Sequence, residues 1–176
     1  DIETLALLVA KHNIGTIIME VQRDVTPNTD FIKSVRSLAT DNHIVLIFDE
    51  STSGLRQTLG GIHLEYQVDP DIAVFAKALG NGYAIAAVIG TEETMSLAGE
   101  SFISSTFWTD RLGPAAALAT LEVMNREQTW KSIVDTGLTI THAWQRIAKE
   151  FGLKLQINGL TSIPQFRIDS PRERLY

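Results

Sequence analysis

Ile44-Val45-Leu46-Ile47-Phe48-Asp49-Glu50 is an apolar run that stops in two acids. Apolar residues at every position leave neither face polar, the pattern of a parallel strand covered by helices on both sides. An acid ending such a strand sits at the carboxyl edge of the sheet, where open α/β folds place ligands. The stretch predicts an α/β chain with its chemistry close to Asp49.

Outward from this strand, helix and strand alternate. Leu5 to Lys11 reads as helix, and Gly15 to Val21 as an apolar, β-branched strand. Asp30 is expected to cap a helix that carries Phe31, Val35 and Leu38 on one face. A polar loop runs from Ser51 to Gly61, and Val68-Asp69-Pro70-Asp71 turns the chain into a short strand, Ile72 to Phe75. Ala84 to Ile89 reads as strand and Glu92 to Ala98 as helix. Pro114 is expected at the first position of a helix that continues from Ala115 to Val123. Trp130, Ile133, Leu138, Trp144, Ile147 and Phe151 mark an amphipathic helix of about five or six turns, ended by Gly152. Leu153 to Ile157 and Ile163 to Ile168 read as strands. The α/β rhythm changes near residues 124–129, where a domain boundary is expected.

The chain has 176 residues, 44% of them hydrophobic and 20% charged, a globular composition able to bury a core. With 15 basic against 21 acidic residues and no basic run, neither nucleic acid nor an anionic membrane is expected as partner. There is no cysteine, which excludes disulfides and thiolate metal sites. No apolar stretch approaches the roughly 18 residues of a membrane span. A soluble, cytoplasmic protein is the expectation. The chain starts at Asp1 and ends just after a strand-like run, so a piece of a longer protein is expected.

Downstream of Asp49 lies Lys77, in Phe75-Ala76-Lys77-Ala78-Leu79-Gly80-Asn81-Gly82. A lysine after a buried strand and before glycines, where backbone can approach a ligand, is an unusual setting. Each group alone has a plainer reading, as a loop carboxylate and a solvated charge. Together they are what a pyridoxal phosphate enzyme needs. The lysine forms the Schiff base, and the aspartate keeps the pyridine nitrogen protonated. An Asp-Glu strand end could also position magnesium in a nucleotide hydrolase, but the G-x-x-x-x-G-K-[ST] loop that goes with it is missing. Ser104-Ser105-Thr106 ahead of the Pro114 helix could serve a phosphate, or could be a capped loop over a tryptophan. The four histidines, His12, His43, His63 and His142, have no metal-ligand spacing.

Taken in order, Phe48-Asp49-Glu50, Ser53-Gly54-Leu55-Arg56, Pro70-Asp71-Ile72 and Lys77-Ala78-Leu79-Gly80-Asn81-Gly82 resemble the class III pyridoxal phosphate-dependent aminotransferases of fold type I. The Gly54-Leu55-Arg56 loop followed by Leu59-Gly60-Gly61 is most similar to their glutamate-1-semialdehyde aminomutase branch. The resemblance implies that Lys77 holds pyridoxal 5'-phosphate and moves a proton between substrate and cofactor, while Asp49 pairs with the pyridinium nitrogen. It implies that Thr106 donates to the cofactor phosphate, typically from the neighbouring subunit of a homodimer. Glu20 matches the acid that ends the preceding strand, although Val21 follows it where the family usually has proline. Ser51 and Thr52 stand where the family commonly has valine and then glutamine or methionine, so Thr52 can offer the cofactor only a hydroxyl.

The resemblance also implies that residues 1–126 form the later part of a large, mainly parallel-sheet cofactor domain. Residues 127–176 would begin a small α+β C-terminal domain. The implied activity moves an amino group between a small amino donor and a carbonyl acceptor, or shifts it within one molecule as an aminomutase does. A non-catalytic fragment that needs a partner chain is the alternative from a different class. The segment alone is expected to be inactive.

Overall fold

The structure, a computed structural model, describes residues 1–169. Its elements are α1 (Ile2–Lys11), β1 (Thr16–Glu20), α2 (Thr29–Asp41), β2 (Val45–Asp49), α3 (His63–Tyr66), β3 (Ile72–Phe75), β4 (Ala87–Gly90), α4 (Glu92–Met95), α5 (Leu112–Glu127), α6 (Thr129–Glu150), β5 (Leu155–Leu160) and β6 (Ile163–Ile168). A single sheet of order β1-β2-β3-β4 takes the first four strands, and β5 and β6 form a separate hairpin. β1, β2 and β3 run parallel, while β4 is antiparallel to β3. The expected mainly parallel α/β architecture is therefore present, with an antiparallel edge strand. Residues 170–176 of the second expected domain lie outside the described residues.

β2 lies inside the sheet between β1 and β3, as its apolar sequence suits. Leu46 and Phe48 are completely buried, and α2 lays Ile32, Val35 and Ala39 against the same core. Val45 and Ile47, on the opposite face, are only half-buried among the described residues, so helices do not close both faces as the apolar run suggested. A second core gathers Leu55, Ala73, Phe75 and Leu79 under Ala117 and Met124 of α5. Phe48→Ala is expected to cost about 3–5 kcal/mol, the transfer term plus a cavity that rigid neighbours cannot fill. A denaturant midpoint that does not move would contradict that.

Several boundaries differ from expectation, each for a local reason. Asn28, not Asp30, caps α2, accepting the Asp30 N–H at 2.8 Å. The buried face of α2 centres on Ile32, Val35 and Ala39, with Phe31 and Leu38 on its half-buried flanks. Strand β4 begins at Ala87 rather than Ala84, because residues 84 and 85 seat α5. A Cβ on Gly113 would stand 2.8 Å from the Ala84 carbonyl oxygen and 3.1 Å from the Ile85 side chain. The helix expected from Glu92 to Ala98 is one α turn followed by a 3-10 stretch, Ser96–Glu100. There the Ser96 hydroxyl bonds the Glu93 carbonyl at 3.1 Å and competes with the helix ladder. Helix α5 starts at Leu112, whose N–H is held by the Asp110 carboxylate at 2.9 Å. Pro114 is thus its third residue, still in the first turn where no intrahelical N–H is needed.

The long helix expected from Trp130 is α6. It is separated from α5 by Gln128, whose φ of 52° breaks the helix. The hairpin that follows is not detached from the main sheet. Leu160 at its tip is completely buried in the same cluster as Phe48, and the Gly159 N–H donates to the Asp24 carbonyl at 2.9 Å. Ser162 donates its N–H to Gln57 at 3.2 Å.

Candidate active site

Parallel pairing brings the carboxyl ends of β1, β2 and β3 to one edge of the sheet. Glu20 lies opposite Asp49 in the ladder, and Asp49 lies opposite Val74. Three residues beyond Val74 the chain reaches Lys77 in a 3-10 turn, Lys77–Leu79. Lys77 has a φ of 46°, a left-handed conformation that side chains other than glycine adopt at a cost of about 1–3 kcal/mol. Such a conformation persists where surrounding contacts impose it. The Leu79 N–H to Ala76 carbonyl bond (3.0 Å) and the Asn81 N–H to Lys77 carbonyl bond (3.2 Å) fix the turn.

The Asp49 carboxylate accepts the Ser51 N–H at 2.9 Å. Ser51, through its hydroxyl and its N–H, holds the acid below its ordinary value of 3.8. It outweighs desolvation, and the Lys77 charge lowers the value further. Asp49 is thus a fixed anion at neutral pH. The Lys77 Nζ donates to the Thr52 Oγ1 at 2.6 Å, and the Thr52 carbonyl accepts from the Arg56 Nε at 2.6 Å. Asp49, Thr52 and Lys77 are thereby drawn into one cluster.

Glu20 and Thr106 stand differently. Glu20 is held beside Asp49 by strand register, but its carboxylate pairs with Arg23 at 3.3 Å. That half-exposed pair is worth little and leaves the side chain free to re-pair. Thr106 lies in an exposed turn, and no hydrogen bond joins it to Asp49, Thr52 or Lys77. Around it Phe102 is 97% exposed, with Phe107 and Trp108 also largely open. The tryptophan is therefore not covered by this loop, contrary to the plainer reading of the segment.

A cleft of about 670 Å³ opens on the other side of Lys77, between the Gly80-Asn81-Gly82 turn and α5. Arg56, Tyr83, Thr120 and Val123 contribute to its walls, and among the described residues no acid does. Asp49 does not line it. Among the described residues, Lys77 alone belongs both to this cleft and to the electrostatic neighbourhood of Asp49.

The sequence did not reveal the arrangement immediately behind the cluster. Glu50 is completely buried, and it meets His63 and Ser53. Burial pushes its carboxyl up, but hydrogen bonds from His63, Ser53 and the backbone outweigh that and leave it below its ordinary value. The only signal was an Asp-Glu doublet. Nothing in the spacing tied it to a histidine in α3, a segment to which the sequence pattern assigned no element. Among the described residues no group of three His, Cys, Asp or Glu side chains is placed to hold a metal.

A fixed carboxylate within electrostatic reach of a primary amine suits a cofactor with a basic nitrogen and an aldehyde carbon. The carboxylate would hold the nitrogen in its protonated form, and the amine would take the carbon. The chemistry of the donor set fits such a group.

The family model described as "Aminotransferase class-III" matches residues 2–163. Among curated relatives, 3-aminobutyryl-CoA aminotransferase of Cloacimonas acidaminovorans is 36% identical, over 85% of this chain and 36% of its own length. Glutamate-1-semialdehyde 2,1-aminomutase of Nitrosopumilus maritimus is 33% identical, over 80% of this chain and 34% of its own. The chain thus spans about a third of the length of these relatives. Of solved structures, the FumI protein of a Sphingopyxis species, in its PLP internal aldimine form, superposes with a TM-score of 0.89. It is 21% identical, over 97% of this chain and 43% of that one. Acetylornithine aminotransferase of Elizabethkingia anophelis gives 0.83 at 23% identity, over 97% and 44%.

Proposed function

This chain belongs to the class III aminotransferases and has the fold of its structural neighbours, fold type I, and from that premise we propose that it carries the lysine-bearing part of a pyridoxal phosphate-dependent enzyme that moves an amino group. The observation that supports this most is the juxtaposition at the sheet edge. Asp49 is a fixed anion, Lys77 lies within its electrostatic reach, and the Lys77 amine rests on Thr52. When bound, pyridoxal phosphate supplies an electron sink that stabilises the carbanion left when a proton leaves the substrate carbon.

The remaining roles belong to the chain. Lys77 would hold the cofactor through its side-chain amine and, as the free amine, would move the proton to and from the substrate carbon. Asp49 would keep the ring nitrogen protonated. Thr52 offers a hydroxyl acceptor where the Lys77 amine can rest. Glu20, next to Asp49 in the ladder, would arrange polar groups near the ring. Thr106 would donate to the phosphate across a homodimer, a reading supported by its exposure and by the open aromatic surface around it. The substrates would be a small amino donor and a carbonyl acceptor. Residues 1–126 would be the later part of the cofactor domain and 127–176 the start of the small one.

The likeness to a glutamate-1-semialdehyde 2,1-aminomutase supports a second reading, in which the amino group shifts within one molecule. Both reactions draw on the same residues here. The test is addition of pyridoxal phosphate to the full-length protein, followed by borohydride and peptide mapping. A reduced cofactor adduct on Lys77 is expected. Absence of any adduct, with cofactor in excess, would overturn the reading. A keto acid consumed with its amino donor in equal amounts marks a transaminase, and isomerisation without an acceptor marks a mutase.

A further inference from the structure

Immediately after Asp49, the side chain of Glu50 turns inward and is the most completely buried acid among the described residues, with no solvent-exposed surface. An isolated carboxylate there would be costly, so every donor around it matters. Its Oε1 accepts the His63 N–H at 3.0 Å and meets the His63 Nδ1 at 2.8 Å, and its Oε2 accepts the Ser53 hydroxyl. The Ile62 N–H also contributes. These donors come from both ends of the segment between β2 and α3. One carboxylate therefore closes the whole loop on itself.

The backbone of Glu50 extends the same clamp to the lysine's strand. Its N–H donates to the Val74 carbonyl at 2.8 Å, and its carbonyl accepts the Gly54 N–H at 2.8 Å. The loop lies in close contact with this clamp at two glycines. A Cβ on Gly54 would stand 2.7 Å from both the Glu50 carbonyl oxygen and the Phe75 ring, and one on Gly61 would stand 2.5 Å from the Glu50 Oε1. The clamped segment carries the two groups that touch the reacting residues. The Ser51 N–H holds Asp49, and the Thr52 hydroxyl receives the Lys77 amine.

We propose that Glu50 is a positioning residue, which through its clamp on Ser53, Ile62 and His63 holds Ser51 against Asp49 and Thr52 against Lys77. The proposal rests on the roles given above to Asp49 and Lys77, but its first readout needs neither cofactor nor turnover. Geometry, not charge, is the essential property of the clamp. Glutamine at position 50 can still accept from His63 with its oxygen and donate to the Ser53 oxygen with its amide. Leucine keeps the bulk and removes every acceptor.

The experiment titrates the Asp49 carboxyl by carbon NMR in the cofactor-free, full-length protein, with the signal assigned through Asp49→Asn. In Glu50→Leu the midpoint is expected to rise toward the ordinary 3.8, because Ser51 no longer stays in place. In Glu50→Gln it is expected to remain depressed. In the loaded Glu50→Leu enzyme kcat should fall about tenfold with KM little changed, the pattern of a misplaced reacting group. Should Glu50→Leu not fold, Ser53→Ala removes one donor and carries the test, with a smaller rise expected. A folded Glu50→Leu or Ser53→Ala protein with lowered stability but an unmoved Asp49 midpoint would overturn the proposal and leave Glu50 a purely structural acid. Failure to trap cofactor on Lys77 would count against the proposed function, while the Asp49 titration would still decide the clamp.

Discussion

Replacement of Lys77 by alanine in the full-length protein is expected to abolish covalent attachment of pyridoxal phosphate and to lower turnover by roughly 10,000-fold or more. The effect is large because, in the proposed function, one amine would perform two tasks, holding the cofactor and moving the substrate proton. Alanine also relieves the hydrogen bond to Thr52, which is exposed and contributes little to the fold, so the protein should stay folded. The check is borohydride reduction followed by mass analysis of the peptide that spans residue 77. A reduced adduct that persists in Lys77→Ala would move the role to another lysine, with Lys33 and Lys131 the first to examine.

Asp49→Asn is expected to lower kcat by about a hundred- to a thousandfold while cofactor still binds. Asparagine keeps the oxygen that accepts the Ser51 N–H at 2.9 Å, so the local geometry survives and only the charge is lost. In the proposed role the anion would matter most as negative charge develops on the substrate carbon, because it would hold the ring nitrogen protonated. Asp49 has its pKa lowered, so the anion is present above the ordinary value of 3.8 and is lost only as pH falls below it. No loss of rate assignable to Asp49 is therefore expected near neutral pH. A variant with weakened cofactor affinity and unchanged kcat would remove the ring nitrogen from its list of partners.

Much of the sheet edge was legible because it rests on local pattern. An apolar run ending in acid identified β2 and Asp49, and helical spacing identified α6 from Trp130 onward. Lys77 stood out through the glycines behind it, although its left-handed φ did not. The direction of β4 was hidden, since an apolar strand carries no mark of whether it runs with or against its neighbour. Helix α3 was hidden for another reason. At a single turn, His63–Tyr66, it is too short for periodicity, and tertiary contacts hold it in place. The pairing of Glu50 with His63 joins residues thirteen positions apart across that same unreadable loop. The departure at position 52 marked a hydroxyl for the cofactor, but nothing in the sequence joined it to Lys77.

Leu160 sits at the tip of the last hairpin and completes the core that Phe48 begins. This contact joins parts of the chain made far apart in time. Ser162 bonds Gln57 from 105 positions away, and Gln165 bonds Asp24 from 141 positions away. Contacts of such long separation form late in folding, because the intervening chain must be ordered before they are gained. On a ribosome, β1, α2 and β2 emerge well before the residue that seals them. The nascent sheet must wait with one side of its core open, exposed to other unfinished chains, until synthesis has passed the hairpin.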